Sequence, residues 1–267
     1  MPAIDLARLK TQAALLADQY SYPRGFVRAL NELLDFYTNH SMRASLVARR
    51  LSVPTYHTPA PVLRLIEREL APLADSHPIE TVTLVNAMWE SGSLETRLLA
   101  ARLLGYIPPA QAIPALTRLP DWLIQSTDNE TRQALLTDSF ARLRRENPEA
   151  FFILLEDWLK SPRSGLQVWG MQALIPLLRD PDFQNLPAVL RILRPAVQAA
   201  GPATQLDLQA CLAALARLSL TETLVFLREV LSAAPPPALV RTLRRSLPAL
   251  PAELQAGLRE LLRDKVG

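Results

Sequence analysis

The chain has 267 residues, 49% of them apolar, enough to bury a sizeable core as one large domain or two small ones. Only 8 residues are glycine but 23 are proline, which argues against a β-rich or phosphate-loop protein and for helices started, stopped and kinked by proline. A net charge of +3 with a pI of about 9.3 is mildly basic, short of the footprint of an obvious nucleic-acid binder.

The positive charge is nearly all arginine, with lysine only at Lys10, Lys160 and Lys265. Arginine suits bidentate phosphate contacts, although codon usage in a GC-rich genome gives the same bias. The single cysteine, Cys211, sits in the apolar stretch LQACLAALARL, cannot form an internal disulfide and reads as a small core residue. No run approaches the ~18 apolar residues of a membrane span. The start, MPAIDLARLK, lacks a basic region followed by an apolar run, so no signal peptide is expected. The expectation is a soluble, cytoplasmic protein with no membrane contact.

In chain order, an amphipathic helix is predicted from Ile4 to Tyr20, then a turn over Ser21 to Gly25. A second helix runs from Phe26 to Asn39 and a short arginine-dense one from Met42 to Leu51, carrying Arg43, Arg49 and Arg50. The proline-broken SVPTYHTPAP follows. A helix from Pro61 to Leu73 starts on proline and carries Arg64 and Arg68 on one side. Ile79 to Gly105 reads as a helical hairpin broken at Ser91-Gly92-Ser93. Its first helix carries Val82, Val85 and Trp89. Its second is capped by Ser93, has small Ala100 and Ala101 for close helix approach, and stops at Gly105.

Further helices are predicted from Pro108-Pro109 to Leu119, briefly around Trp122, and from Asn129 to Arg145. Then come Pro148 to Lys160, its partner LQVWGMQALIPLLRD, Pro181 to Ala199, Thr204 to Leu218, Thr221 to Ala233, Pro237 to Leu247 and Pro251 to Lys265. The second helices of the pairs resemble one another: ETRLLAARLLG, ETRQALLTDSFARL, LQVWGMQALIPLL, LQACLAALARL and LVRTLRRSLPAL. They recur at roughly 33 to 40 residues, the period of HEAT and armadillo repeats. Pro114, Pro176, Pro195 and Pro248 fit kinked helices. The expected fold is all-α, a HEAT/armadillo-like helical-repeat solenoid forming a right-handed superhelix. Residues 1–55 are read as an N-terminal helical cap and 56–267 as one continuous array.

Familiar catalytic constellations are absent from the sequence. His40, His57 and His77 are isolated, and no CxxC pair, GxSxG, GxxxxGKS/T or GxGxxG occurs. Glu156-Asp157 reads as a helix-surface carboxylate pair, and neither metal nor cofactor is expected. Of the four tryptophans, Trp89 and Trp158 read as core. Trp122, in the polar PDWLIQSTDNE, and Trp169, after the SPRSG turn, are the candidates to face a groove and stack on a sugar or base.

Three stretches carry a family resemblance. YHTPAPVLRLIEREL, AMWESGSLETRLLAARLL (with Trp89, Glu95, Arg97 and Ala100) and EDWLKSPRSGLQVWGMQAL resemble the AlkD-type DNA alkylation repair family, the DNA glycosylases built from HEAT-like repeats. The likeness covers roughly Tyr56 to Leu178, with Trp122 where that family carries a tryptophan before a helix. The resemblance implies removal of cationic N3- or N7-alkylated purines without flipping the base into a pocket. It further implies a tryptophan-lined cleft, an aspartate one helical turn after the tryptophan that stabilises charge on the deoxyribose, and an arginine in the next repeat that holds the backbone.

The sequence departs from that pattern at both polar positions. Ser126 stands four residues after Trp122; Asp121 and Asp128 are nearby, but neither projects as the fourth residue would, and a shifted register would be needed to use Asp128. Val168 and Trp169 stand where the arginine is expected, with Arg163 the local substitute. The leading expectation is therefore a DNA-binding relative of the alkylpurine glycosylases with weak or no catalysis. Duplex or damaged DNA would be its partner, contacted through Arg97, Arg132, Arg163, Trp122 and Trp169. The alternatives are a protein-interaction scaffold with no nucleic-acid role, and an active glycosylase using Asp121 or Asp128.

Overall fold

The computed structural model describes residues 5–38, 53–232 and 234–263, and every regular element among them is a helix. The predicted helix from Met42 to Leu51, with its three arginines and His40 just before it, lies outside the described residues. Two compact units are present, 1–147 and 148–267.

The first unit holds α1 (Leu6–Ala17), α2 (Pro23–Phe36), α3 (Ala60–Ser76), α4 (Pro78–Ser91), α5 (Leu94–Leu104), α6 (Pro109–Leu116), α7 (Leu119–Gln125), α8 (Asn129–Thr137) and α9 (Ala141–Glu146). Proline opens α2, α4 and α6 at the first turn, where its missing N–H costs nothing. For that reason α2 starts at Pro23, and the expected turn over Ser21 to Gly25 is shorter than predicted. α1 packs on α3, α3 on α5 and α5 on α8, forming one row; α2 packs on α4 and α4 on α6, forming a second.

The α4–α5 hairpin follows the predicted break. Gly92 takes the left-handed conformation (φ 81°) that ends α4, and the Ser93 hydroxyl accepts from the Thr96 N–H to cap α5. Gly105 behaves differently from a left-handed stop. Its φ is −69°, and its lack of a side chain is needed because the Asp138 carbonyl occupies the space a Cβ would fill.

The long helix expected from Asn129 to Arg145 is two. α8 ends at Thr137 because Ser139 turns its hydroxyl onto the Ala101 carbonyl (3.1 Å) and Phe140 drops fully into the core. Neither event is written in local propensity: no Gly or Pro marks the break.

The second unit holds α10 (Pro148–Lys160), α11 (Ser164–Leu178), α12 (Leu186–Gln198), α13 (Gln205–Leu218), α14 (Leu220–Ser232), α15 (Pro237–Ser246) and α16 (Ala252–Leu262), with 3-10 turns at Pro202–Thr204 and Leu247–Ala249. α12 begins five residues later than the sequence suggests, because Asn185 caps it through the Ala188 N–H. α11, α13 and α15 make one row and α10, α12, α14 and α16 another. Pro72, Pro114, Pro176 and Pro195 lie inside helices, while Pro248 falls in a 3-10 turn. Cys211 is fully buried with its thiol 3.6 Å from the Met171 carbonyl, and burial, with a smaller push from Asp207, raises its pKa to about 12. No helix among the described residues is long and apolar enough to cross a membrane.

Candidate nucleic-acid interface

Two side chains of the candidate set, Trp122 and Arg97, meet in the first unit on the ring of Trp89, near the α4–α5 turn. The Trp89 and Trp122 rings stack with centroids 4.5 Å apart and 8° between planes, and the Arg97 guanidinium lies over Trp89 at 4.8 Å. Trp89 also donates its indole N–H to Gln125 Oε1 at 3.0 Å. Both rings are buried, Trp122 to 5% exposure, so the polar neighbours of Trp122 in sequence do not set its environment. α7 is amphipathic over seven residues: Leu119, Trp122 and Leu123 turn inward while Asp121 and Ile124 face solvent.

Ser126, four residues after Trp122, is 1% exposed and donates its hydroxyl to the Trp122 carbonyl at 2.7 Å. Asp128 is the N-cap of α8: one carboxylate oxygen accepts from the Thr131 N–H at 2.6 Å, and the other is buried with no hydrogen-bond partner. Arg132 donates from Nε to the Ser126 carbonyl (3.0 Å) and from Nη1 to Asn129 Oδ1 (3.3 Å). Arg97 is half-buried, and its Nε has no hydrogen-bond partner.

The hairpins echo each other at this point. Ser93-Leu94-Glu95-Thr96-Arg97 and, 35 positions later, Asp128-Asn129-Glu130-Thr131-Arg132 each give an N-cap, a fully buried threonine and an arginine that reaches back along the chain, Arg97 over the Trp89 ring of α4 and Arg132 to the Ser126 carbonyl of the preceding turn. In the second unit Gln167, a further 35 positions on, likewise reaches back, donating to the Ser161 carbonyl at 2.8 Å. Glu95 breaks the equivalence. It is 3% exposed, and it accepts from Thr55 Oγ1 (2.8 Å), Tyr56 N (3.1 Å) and Thr58 N (3.2 Å). It thereby clamps the 55–58 loop, where His57 adopts φ 54°. Glu130, its counterpart, is exposed.

A family model described as DNA alkylation repair enzyme matches residues 30–245, well over half of the 267-residue chain. The chain belongs to the DNA alkylation repair enzyme family. No curated protein and no solved structure matches it.

In this DNA alkylation repair family member the remaining expected residues belong to the second unit. Arg163 is exposed at the start of α11, Trp169 is half-buried on α11, and Val168 beside it is also half-buried. Trp158 is buried at 7% exposure. Glu156 pairs with Lys160 (2.8 Å) and Arg191 (3.6 Å), which hold its carboxyl below the usual range. Among the described residues no cluster of three or more His, Cys, Asp or Glu side chains could hold a metal ion.

Sequence reading passed over two features of the first unit. One is the Glu95 clamp, signalled only by its place in the repeated Glu-Thr-Arg triplet. The other is a cavity of about 740 Å³ where α3, α5 and α9 converge, floored by Arg102 and Arg142 and edged by Arg64, Tyr106 and Arg145. Only Arg64 of that set stood out in the sequence, as a member of a helix side. A second depression of about 410 Å³ lies between α5 and α8, lined by Arg102, Glu130, Gln133 and Thr137 among others.

Proposed function

We propose that this family member is a DNA-binding helical-repeat protein with weak or no glycosylase activity. The observation that carries the reading is Ser126. The resemblance calls for a carboxylate one turn after the tryptophan. Here a buried hydroxyl bonded back to the Trp122 carbonyl stands in that place, so that position offers no anion to stabilise a developing sugar cation. The tryptophans are occupied with each other, and Asp121 faces solvent. A repeat-type solenoid is supported by the 35-residue echo of caps and back-reaching side chains and by the two-row packing inside each unit. DNA contact would rest on the arginines: Arg163 is exposed, while Arg97 and Arg132 are half-buried, the first over the Trp89 ring and the second bonded to the Ser126 carbonyl. Trp122 would act through the stack, and Trp169 by its partly open ring.

A second reading, an active glycosylase using Asp128, is favoured by one feature. In the Ser93 cap the serine and Thr96 hydroxyls bond to each other at 3.0 Å. In the Asp128 cap both Asp128 Oδ2 and the Thr131 hydroxyl are buried without partners. A buried, unspent carboxylate oxygen is costly unless something uses it.

Release of methylated purines from alkylated duplex DNA, measured beside binding of the same DNA across a salt series, separates the readings. Binding that weakens steeply with salt, with no release above the spontaneous rate, supports the first. Release that Asp128→Asn abolishes supports the second, because asparagine caps a helix as well as aspartate and removes only the charge. Absence of both would move the protein to the scaffold class.

A further inference from the structure

The 740 Å³ cavity of the first unit has as many arginines as carboxylates on its walls, yet the two signs are not equally free. Arg142 holds Asp75 and Glu146 and also donates to the Tyr106 carbonyl at 2.7 Å. Glu67 accepts from the Tyr106 hydroxyl (2.9 Å) and from Arg102 (3.4 Å), and Arg102 also lies 3.6 Å from Asp138. Every carboxylate of the cavity is thus engaged by a donor on its own wall.

The cations at the rim are not so engaged. Arg64, on α3, is exposed and makes no ion pair among the described residues. Arg145, on α9, has Glu146 (3.1 Å) as its only ion-pair partner among the described residues and a side chain 74% exposed, which leaves most of its donors open. The free donors are therefore guanidiniums, which match phosphate oxygens two at a time. On the wall of the same cavity Tyr106 presents a flat ring whose hydroxyl is already spent on Glu67 and which is 37% exposed. The volume lies within the usual range for small-molecule sites.

We propose that this cavity takes a nucleotide, its phosphate held by Arg64 and Arg145 and its base laid against the ring of Tyr106. The remaining lone pairs of Glu67 and Asp138 favour a base with an exocyclic amino group, which can donate to them. The same chemistry is offered by a free nucleotide and by one nucleotide of a strand. The proposal does not depend on the glycosylase-related reading, since neither the Trp89–Trp122 stack nor Asp128 lines the cavity.

The test is calorimetric titration of the full chain with adenosine 5′-monophosphate, with inorganic phosphate, and with a short single-stranded oligoadenylate. Each is run on the parent protein, on Arg64→Ala/Arg145→Ala and on Tyr106→Phe, after thermal melts establish that the variants fold. The parent is expected to bind the mononucleotide more tightly than inorganic phosphate. The double arginine variant should lose roughly tenfold or more, and Tyr106→Phe, which keeps the ring, should retain the preference for nucleotide. Binding of the oligonucleotide but not the mononucleotide, with the same arginine dependence, would assign the site to a strand. Failure to bind either nucleotide probe, or binding that the arginine substitutions leave unchanged, would overturn the proposal and leave the cavity an ion-pair network alone.

Discussion

Trp122 lies flat against Trp89, 4.5 Å between ring centroids, and so joins α7 to the end of α4 across 33 positions of sequence. With both rings buried, the pair is a packing element first. Trp122→Ala is expected to destabilise the chain by about 3–5 kcal/mol in urea denaturation, and Trp122→Phe by less. The near-ultraviolet circular dichroism of the coupled indoles should fall in both. If instead Trp122→Ala melts like the parent and only weakens DNA binding, the ring belongs to a ligand surface.

Glu95 is the acceptor for three donors of the 55–58 loop, and it is nearly inaccessible to water. Glu95→Ala strands those donors and should cost about 3–5 kcal/mol, the range for breaking a buried charged network. Glu95→Gln keeps the shape and an acceptor and should cost less. Hydrogen exchange at the Tyr56 and Thr58 amides reads the clamp directly: both should exchange much faster in Glu95→Ala, and unchanged protection would show that the loop is held by something else.

Gly105 admits the Asp138 carbonyl into the space of its missing Cβ. A methyl group there must push α8 away from α5, and backbone cannot give way as a side-chain tip can. Gly105→Ala is expected to lower stability by about 1–3 kcal/mol despite alanine's better helix propensity. An unchanged or raised melting temperature would contradict the close approach.

Asp138 has its pKa raised from 3.8, first by burial, with Glu67 adding to the rise and Arg102 and Arg144 opposing it. It also ends α8, where the helix dipole disfavours a carboxylate. The folded state binds the proton more tightly than the unfolded chain does. Stability is therefore lost as pH rises from the unfolded value through the raised one, and the loss persists at neutral pH. Asp138→Asn should be at least as stable as the parent at neutral pH and should flatten the acid limb of the stability profile. Melts across mildly acidic to neutral pH would decide it; a variant clearly weaker at neutral pH would mean that the Arg102 contact outweighs the burial.

Much of the helical scaffold was legible in the chain itself. Some helix starts are spelled locally, by Ser93 at the head of α5 and by proline at the first turn of α6, whereas Pro23 reads as part of a turn although it opens α2. The paired Glu-Thr-Arg triplets and the apolar stripes announced hairpins that need neighbours, and the family was legible in the motifs between Tyr56 and Leu178. What the sequence could not express were distances between elements far apart in the chain. Trp122 sits among polar letters yet is buried, because α7 rolls its one apolar side onto Trp89. The helix from Asn129 breaks at Asp138 because of a carbonyl on α5 and a core site for Phe140, not because of any breaker residue. Arg64, Tyr106 and Arg145 are three unrelated positions until α3, α5 and α9 bring them to one cavity. Local steric and hydrogen-bonding rules act within a turn or two and are readable in order. The contacts that define a site depend on which surfaces pack, and packing alone decided them.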